Sequence, residues 1–369
     1  MNLPEFIPGL TLAEIFFRVA VQPILHNHFP DLLYSAARLD YGSDVLGFDT
    51  PQSRDHGWGP KVTLFLSPSE FDQQNAAISN AMAAELPPEI SGYPTNYDEP
   101  FSGEAQMVPV ETGPVKHWVA VTTIPNFFSD YLGVDPMEEI SIPDWLTMPP
   151  QHLRTVAAGR VFRDGLDRLE KARTKLSWHP HDIWLYLLSN GWRRIDQEEP
   201  FMARCGDVGD QLGSRLVAAR LIQEIMKLCF LMERQFPPYN KWFGMAFSRL
   251  DCASELTPIF HRIFNAQTWQ EREQQLSAAY LNLMERQNAL DLMEPIEPKI
   301  SSFYNRPYQV PWSGRFAEAL QGAIQSEAVK KLPPNLGGLS QFVDSTDILA
   351  DISQTKQFRT VFKPKPDTH

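Results

Sequence analysis

Beyond residue 150, hydrophobic residues recur at helical spacing over most of the chain. Apolar positions three and four residues apart predict helices over residues 151–156, 165–176, 181–195, 208–235, 241–250 and 269–287. The longest apolar face, over residues 212–232, alternates with charged residues, as expected for an amphipathic helix packed in a bundle. We therefore predict an all-α helical bundle domain over residues 144–330, followed by a polar tail over residues 331–369.

The first 143 residues mix helical and strand patterns instead. A capping box at Thr11 and Glu14 opens the first predicted helix, which Pro23 bends and Pro30 closes. A helix or turn is expected over residues 31–38, and an alanine-rich helix over residues 69–86. Short apolar runs predict strands at residues 62–66, 107–110 and 118–123. This order is typical of a small α+β domain, predicted over residues 1–143.

Composition narrows the classes of function. The chain of 369 residues has a formal charge of −12, which argues against a general nucleic-acid binder. Its three cysteines lie far apart and match no metal-binding spacing, as is usual in a reducing compartment. The N-terminus has no signal-peptide pattern, and no apolar run approaches the roughly 20 residues that span a bilayer. We expect a cytoplasmic protein that binds neither nucleic acid nor membrane.

Candidate chemistry concentrates in a glycine-rich segment at residues 41–60. A Gly42-Ser43 turn exposes backbone N–H groups and a hydroxyl, which suit phosphate oxygens. Twelve residues after Ser43, Asp55 precedes the apolar run at residues 62–66, where a carboxylate would hold Mg²⁺ opposite the phosphates. Glycine and aspartate are also common turn formers, so the pattern alone leaves a plain loop as the alternative.

Longer blocks of sequence resemble a known family, the domain of unknown function 4037. The blocks lie at residues 42–50, 55–60, 144–146, 197–199, 204–206, 210–214 and 238–242. The resemblance implies a nucleotidyltransferase-like fold, with a mixed sheet and helices in the N-terminal domain. The activity it implies is Mg²⁺-dependent transfer of a nucleoside monophosphate from a nucleoside triphosphate to a small hydroxyl or amine acceptor.

The resemblance also implies roles for individual residues. Asp55 and Asp49 would bind the metal and, together with Glu198, serve catalysis. The nucleotide would contact Gly42, Ser43, Asp44, His56, Lys241, Tyr239 and Arg204. Lys241 would use its place at a helix N-terminus to hold the leaving pyrophosphate. Two plainer alternatives stay open: Lys241 as a surface lysine, and the adjacent Glu198 and Glu199 as ion-pair partners of Arg204.

Two positions depart from the family pattern. Gly57 stands where a second metal-binding acid is expected, and Ala120 stands where a later strand would carry a glutamate. Two carboxylates two residues apart on a strand point the same way and hold metal ions between them, so their loss weakens the site. Replacement acids would have to come from Asp44, Asp49, Glu111, Glu198 or Glu199.

The departures therefore leave a second hypothesis from another class. The chain would be a catalytically degenerate nucleotide-binding or regulatory protein that keeps the fold. A third is an unrelated enzyme that uses a cleft between the two domains for a small molecule.

Overall fold

The computed structural model describes residues 4–54, 57–98 and 105–363, and the chain folds as two compact units. The first unit comprises Met1–Ile140 and His152–Ser177, and the second comprises Ser141–Gln151 and Trp178–His369. The chain thus passes to the second unit, returns for 26 residues, and passes over again. The first crossing lies three residues before the domain boundary predicted at residue 143.

The elements up to residue 177 follow the chain in this order. They are α1 (Gly9–Phe16), a π-helical turn (Phe17–Val21), α2 (Gln22–His28), β1 (Tyr34–Arg38), a 3₁₀ turn (Pro51–Arg54), β2 (Val62–Leu66), α3 (Pro68–Glu85), β3 (Glu89–Ile90), β4 (Tyr93–Pro94), β5 (Tyr97–Asp98), β6 (Gln106–Met107), β7 (Val119–Thr123), α4 (Ile124–Leu132), α5 (Ile142–Thr147), α6 (Pro150–Ala158), β8 (Arg160–Asp164) and α7 (Leu169–Lys175). The strand predicted at residues 62–66 and the helix predicted at 69–86 are confirmed.

A four-stranded mixed sheet forms the centre of the first unit, in the order β7–β2–β1–β8. Strand β1 is antiparallel to both β2 and β8, whereas β2 runs parallel to β7. All residues of β1 and β2 are buried, as expected for central strands. Helices α1 to α3 cover one face through a core that includes Leu12, Phe16, Leu64, Ile78 and Met82.

Strand β1 corrects the sequence prediction of a helix or turn over residues 31–38. Its sequence, Tyr-Ser-Ala-Ala-Arg, favours a helix by intrinsic propensity. It is nevertheless extended, because hydrogen bonding between β2 and β8 and complete burial outweigh propensity. Strand β8, Arg160–Asp164, was also absent from the predicted elements.

The beginning of α1 corrects a second prediction. Thr11 and Glu14 lie inside the helix, which begins at Gly9 after Pro8, so they form no capping box. Glu14 instead pairs with Arg18 and Arg160. The N–H of Gly9 donates to the Oδ2 atom of Asp49 at 2.7 Å, so the cap comes from 40 residues further along the chain.

The described residues of the second unit form helices and one two-stranded ribbon. Its remaining elements are α8 (His181–Glu198), α9 (Phe201–Asp207), α10 (Gln211–Met232), α11 (Asn240–Phe247), α12 (Ala253–Asn265), α13 (Trp269–Ala289), β9 (Ser301–Ser302), β10 (Gln309–Val310), α14 (Gly314–Ala323), α15 (Glu327–Lys330), α16 (Leu339–Phe342), α17 (Thr346–Ala350), α18 (Ile352–Gln357) and a 3₁₀ turn (Phe358–Phe362). The predicted helical character of this region is confirmed. Helix α8 contacts both α10 and α14.

No helix in the described part of the chain combines the length and the apolar character needed to span a membrane.

Candidate functional site

The glycine turn, residues 42–48, follows the end of β1. The N–H of Phe48 donates to the Ser43 carbonyl at 2.8 Å, and the N–H of Leu46 donates to the Gly42 carbonyl at 3.3 Å. Gly42 has φ +155°, and a Cβ at this position would collide with the carboxylate of Asp44. Only glycine therefore fits where the backbone passes this close to Asp44.

A buried arginine holds the glycine turn in place. Arg38, the last residue of β1, is 1% exposed and lies against the carboxylates of Asp40 and Asp44. Its Nε donates to Asp44 Oδ2 at 3.1 Å and its Nη2 to Asp44 Oδ1 at 3.2 Å. The same Nη2 donates to the Tyr41 carbonyl at 2.9 Å. This two-bond pairing fixes Asp44 and the start of the turn, since guanidinium and carboxylate match in geometry.

The backbone of the turn offers donors to a ligand. In the described part of the chain, the N–H groups of Gly42, Ser43 and Asp44 donate to no protein acceptor. The half-buried Ser43 adds a hydroxyl beside them. Successive N–H groups at a turn are a common arrangement for binding phosphate and other anions.

A second buried basic residue lies next to the turn. Lys61, directly before β2, is 3% exposed, and its Nζ donates to the Gly57 carbonyl at 2.5 Å. The same Nζ lies 3.2 Å from the centre of the Trp118 ring and 5.6 Å from that of Tyr41. The position of Lys61 is thus set by a carbonyl and two aromatic rings.

Burial makes Lys61 an unusual amine. Removal from water and, to a smaller extent, the nearby Arg38 guanidinium lower the pKa of Lys61 to about 6, and Asp44 opposes the shift. The amine is therefore largely neutral at pH 7. An anion bound beside it would favour the charged form and draw a proton onto Nζ.

The structure gives Asp49 a role in holding α1. Besides accepting from Gly9, its Oδ2 accepts from the indole Nε1 of Trp58 at 3.0 Å. Trp58 is 2% exposed, so its N–H has no access to water and needs this acceptor. Both bonds hold the fold together, and the metal-binding and catalytic role expected for Asp49 stays a prediction.

Four predicted positions belong to the metal site that the sequence led us to expect. Asp55 and His56 lie outside the described residues. Gly57 has φ +63°, and a Cβ there would meet no atom within 4 Å. Ala120 lies exposed on β7, paired with Thr63 in the parallel register. Within residues 4–54, 57–98 and 105–363, no three His, Cys, Asp or Glu side chains are grouped to hold a metal ion.

The remaining predicted site residues belong to the second unit. Glu198 pairs with Arg220 at 2.5 Å, and Glu199 accepts from Ser313, so the expected pairing with Arg204 is wrong. Arg204 is exposed on α9. These contacts account for Glu198 as a surface ion pair.

Lys241 and Tyr239 lie at the beginning of α11. Lys241 is exposed, with its Nζ 5.0 Å from the ring centre of its neighbour Trp242. Tyr239 is the N-cap residue, and its N–H donates to Gln151 at 3.0 Å. Their contacts to a nucleotide stay a prediction.

Comparison with known proteins identifies a similarity over part of the chain. The model of the family described as Domain of unknown function (DUF4037) matches residues 145–243 of the chain. The predicted resemblance is thereby confirmed. The matched segment begins after the glycine turn, and the nucleotidyltransferase-like fold stays a prediction. The comparisons with curated proteins and with solved structures found no match.

Sequence reasoning missed the two buried basic residues of the site, Arg38 and Lys61. Neither Arg38 nor Lys61 belongs to a recognisable motif, and the segment of Arg38 was expected to be a helix or turn. One signal was present for Lys61: a single charged residue between Pro60 and a five-residue apolar strand is pulled toward the core with that strand.

Proposed function

We propose that the first unit binds the phosphates of a nucleoside triphosphate at the glycine turn and does not transfer the nucleotide. The observation that supports phosphate binding is the set of N–H groups at Gly42, Ser43 and Asp44, with Lys61 beside them. Phosphate oxygens need such donors, and a buried amine adds charge when an anion arrives.

We propose that no transfer occurs because the carboxylates near the glycine turn already have other partners within the protein. Asp44 is fully engaged by Arg38, and Asp49 caps α1 and holds Trp58. Gly57 and Ala120 offer no acid. The described residues therefore do not fit the two-carboxylate arrangement that would hold Mg²⁺ for transfer. This favours the degenerate, nucleotide-binding alternative over the active nucleotidyltransferase.

Active transfer is the second candidate, and one observation supports it. Strand β2 runs parallel to β7, so Ala120 lies beside β2, which follows the glycine turn and position 57. Ala120 thus lies beside Thr63 of β2, and position 57 lies in the loop five residues before that strand begins. Space for an acid also remains at position 57.

Calorimetric titration of the full chain with each of the four nucleoside triphosphates, with and without Mg²⁺, tests the proposal. We expect Ser43→Asp to weaken binding at least about tenfold, because it places a negative charge where a phosphate would lie. The matched control is Ser69→Asp, the same change on the exposed first turn of α3, where an acid suits the helix N-terminus. Failure of all four triphosphates to bind would refute both nucleotide hypotheses.

The pH dependence of binding is the second arm of this experiment. Because a bound phosphate favours protonated Lys61, binding takes up a proton above pH 6. Affinity should fall as pH rises from 6 to 8, by up to about tenfold per unit. Lys61→Met should abolish that slope, whereas a slope that persists in this variant would exclude Lys61 from the site.

Pyrophosphate release separates the two candidates. The wild-type chain should release none above background with small alcohols and amines as acceptors, and Asp55→Ala should retain triphosphate binding. Gly57→Asp with Ala120→Glu restores both expected acids, and Asp is among the side chains that tolerate the positive φ of position 57. Transfer by the wild-type chain that is lost in Asp55→Ala would establish the second candidate instead.

A further inference from the structure

A hollow of about 380 Å³ opens on the first unit, between α2, the connection from α2 to β1, and the edge strand β8. This volume is within the range of about 300–1,000 Å³ that is usual for sites that bind small molecules. Its buried lining residues are Leu25 of α2 and Tyr34 of β1, and the half-buried Phe29 and Leu32 lie between them along the chain. We call this cavity the α2 hollow.

The connection from α2 to β1 gives the α2 hollow an apolar wall. Pro30 disfavours helical backbone at Phe29, so α2 ends at His28, and the N–H of Phe29 still donates to the Leu25 carbonyl at 2.8 Å. In the turn that follows, the N–H of Leu32 donates to the Phe29 carbonyl at 3.1 Å. The turn thereby keeps both side chains at the hollow, where they favour a ligand with an apolar body.

The polar lining of the α2 hollow is neutral or basic. None of its ten lining residues, all of them in the described part of the chain, is acidic. Gln22 and Asn27 contribute amide groups, and the exposed His26 contributes an imidazole. Burial raises the pKa of the Tyr34 hydroxyl, while Arg163 and a hydrogen bond with Gln22 oppose the shift. This hydroxyl therefore stays protonated at neutral pH and can donate to an anion.

Arg163 supplies the permanent positive charge of the α2 hollow. The register of β8 places it opposite Ala36 and diagonal to Tyr34, and its Cζ lies 4.9 Å from the centre of the Tyr34 ring. Among the described residues, no carboxylate pairs with Arg163, whereas Arg160 on the same strand pairs with Glu14 at 2.7 Å. The guanidinium of Arg163 is thus positioned by an aromatic ring and keeps its N–H groups for a ligand.

We propose that the α2 hollow binds a small organic carboxylate, with the charged end on Arg163 and the apolar body against Phe29 and Leu32. A guanidinium and a carboxylate form two parallel hydrogen bonds, and one permanent positive charge matches one negative charge. A phosphate monoester carries up to about two negative charges and is matched better by several cations. The site is separate from the glycine turn, since no residue of 42–48 lines the hollow.

Ligand-observed NMR titration of the full chain with 3-phenylpropanoate tests this proposal, and 3-phenylpropanamide is the neutral probe of the same shape. We expect the carboxylate to bind with a dissociation constant of about 1 mM or below. The amide should bind at least about tenfold more weakly, because it lacks the charge that Arg163 recognises.

Variants of β8 locate the site. Arg163→Gln removes the charge from an exposed side chain and should weaken binding of 3-phenylpropanoate at least about tenfold. Arg160→Gln is the matched control on the same strand and should leave this affinity unchanged. Both side chains are exposed, so thermal unfolding followed by circular dichroism should match the wild type. Ser43→Asp, which blocks the glycine turn, should also leave binding of 3-phenylpropanoate unchanged.

Three results would overturn the proposal. The first is the absence of 3-phenylpropanoate binding to the wild-type chain at about 10 mM. The second is equal affinity of the wild type and Arg163→Gln for this probe, because the carboxylate would then lie elsewhere. The third is tighter binding of 2-phenylethyl phosphate than of 3-phenylpropanoate that is lost in Arg163→Gln, which would assign the α2 hollow to phosphate esters.

Discussion

Two carboxylates, one in each unit, are almost equally buried but have different partners. Asp44 in the first unit is 2% exposed and accepts two hydrogen bonds from the guanidinium of Arg38. Glu199 in the second unit is 5% exposed and accepts from the N–H and hydroxyl of Ser313, at 3.0 and 2.7 Å. One carboxylate thus has a permanent positive charge beside it, and the other has neutral donors.

The difference shows that the partner determines what a buried acid does. Burial raises the pKa of Glu199 to about 7, the bonds from Ser313 oppose the shift, and the nearby Asp196 adds to it. Asp196 accepts from the N–H of Gly314 at 3.1 Å, so the two acids together hold the beginning of α14. Glu199 therefore titrates near neutral pH at a helix junction, whereas Asp44 forms part of a fixed ion pair under the glycine turn.

The largest expected effect comes from removing the partner of Arg38. Asp44→Ala leaves a buried guanidinium with one carboxylate fewer, and breaking a buried ion pair from one side costs about 3–5 kcal/mol. Hydrogen exchange of the β1 and β2 amides would report this loss of stability in the first unit. Asp98→Ala, which breaks the exposed pair with Lys116, is the control and should cost under about 1 kcal/mol. Equal effects of the two variants would contradict the structural role of the Arg38–Asp44 pair.

The next effect concerns the pH dependence of the second unit. The pKa of Glu199 rises from 4.5 in the unfolded chain to about 7 in the folded one, so folding takes up a proton between these values. The free energy of unfolding should fall as pH rises from 4.5 to 7, by at most about 3 kcal/mol, and this contribution should be constant above pH 7. Hydrogen exchange of α14 at several pH values measures it.

Glu199→Gln is the control for that prediction. Glutamine keeps an oxygen acceptor for Ser313 and cannot titrate in this range. The pH dependence of α14 exchange should therefore flatten in the variant. A slope identical to that of the wild type would assign the titration to another group.

The smallest expected effect tests the structural role of Asp49. Asp49→Ala removes the acceptor of the Gly9 and Trp58 N–H groups and should destabilise the first unit by about 1–3 kcal/mol, because the indole N–H stays buried. Asp49→Asn keeps an oxygen and should cost less. If Asp49→Asn instead abolished Mg²⁺-dependent triphosphate binding with no loss of stability, Asp49 would be a metal ligand after all.

Hydrophobic patterns predicted correctly those helices and strands that a short run of consecutive residues is enough to determine. The strand Val62–Leu66 and the long helices follow from apolar periodicity in contiguous residues. Strand β1 and the cap of α1 depend on partners far along the chain: β1 on β2 and β8, and Gly9 on Asp49. The spacing of apolar residues therefore predicted the helix that contains Thr11 and Glu14. The prediction nevertheless placed the N-terminal cap of this helix on the wrong residues.

The candidate site divides in the same way. The Gly42-Ser43 turn was visible in the sequence, because glycine marks a turn locally. The engagement of Asp44 by Arg38 and the burial of Lys61 against Trp118 arise only when β1, β2 and β7 come together. A list of acids in a loop could not distinguish those that hold the fold from those left for a ligand.

The return of the chain to the first unit limits how the part of the gene that encodes residues 145–243 can be exchanged between genes. The family segment, residues 145–243, includes β8, whose only bonded neighbour in the four-stranded sheet is β1, more than a hundred residues earlier. Cut out alone, this segment would carry an unpaired sheet edge, which favours aggregation. Recombination at its borders would separate two strands that need one another. The segment is therefore a stretch of shared ancestry and not an interchangeable module, and any relative that carries it with this fold must also supply a strand equivalent to β1.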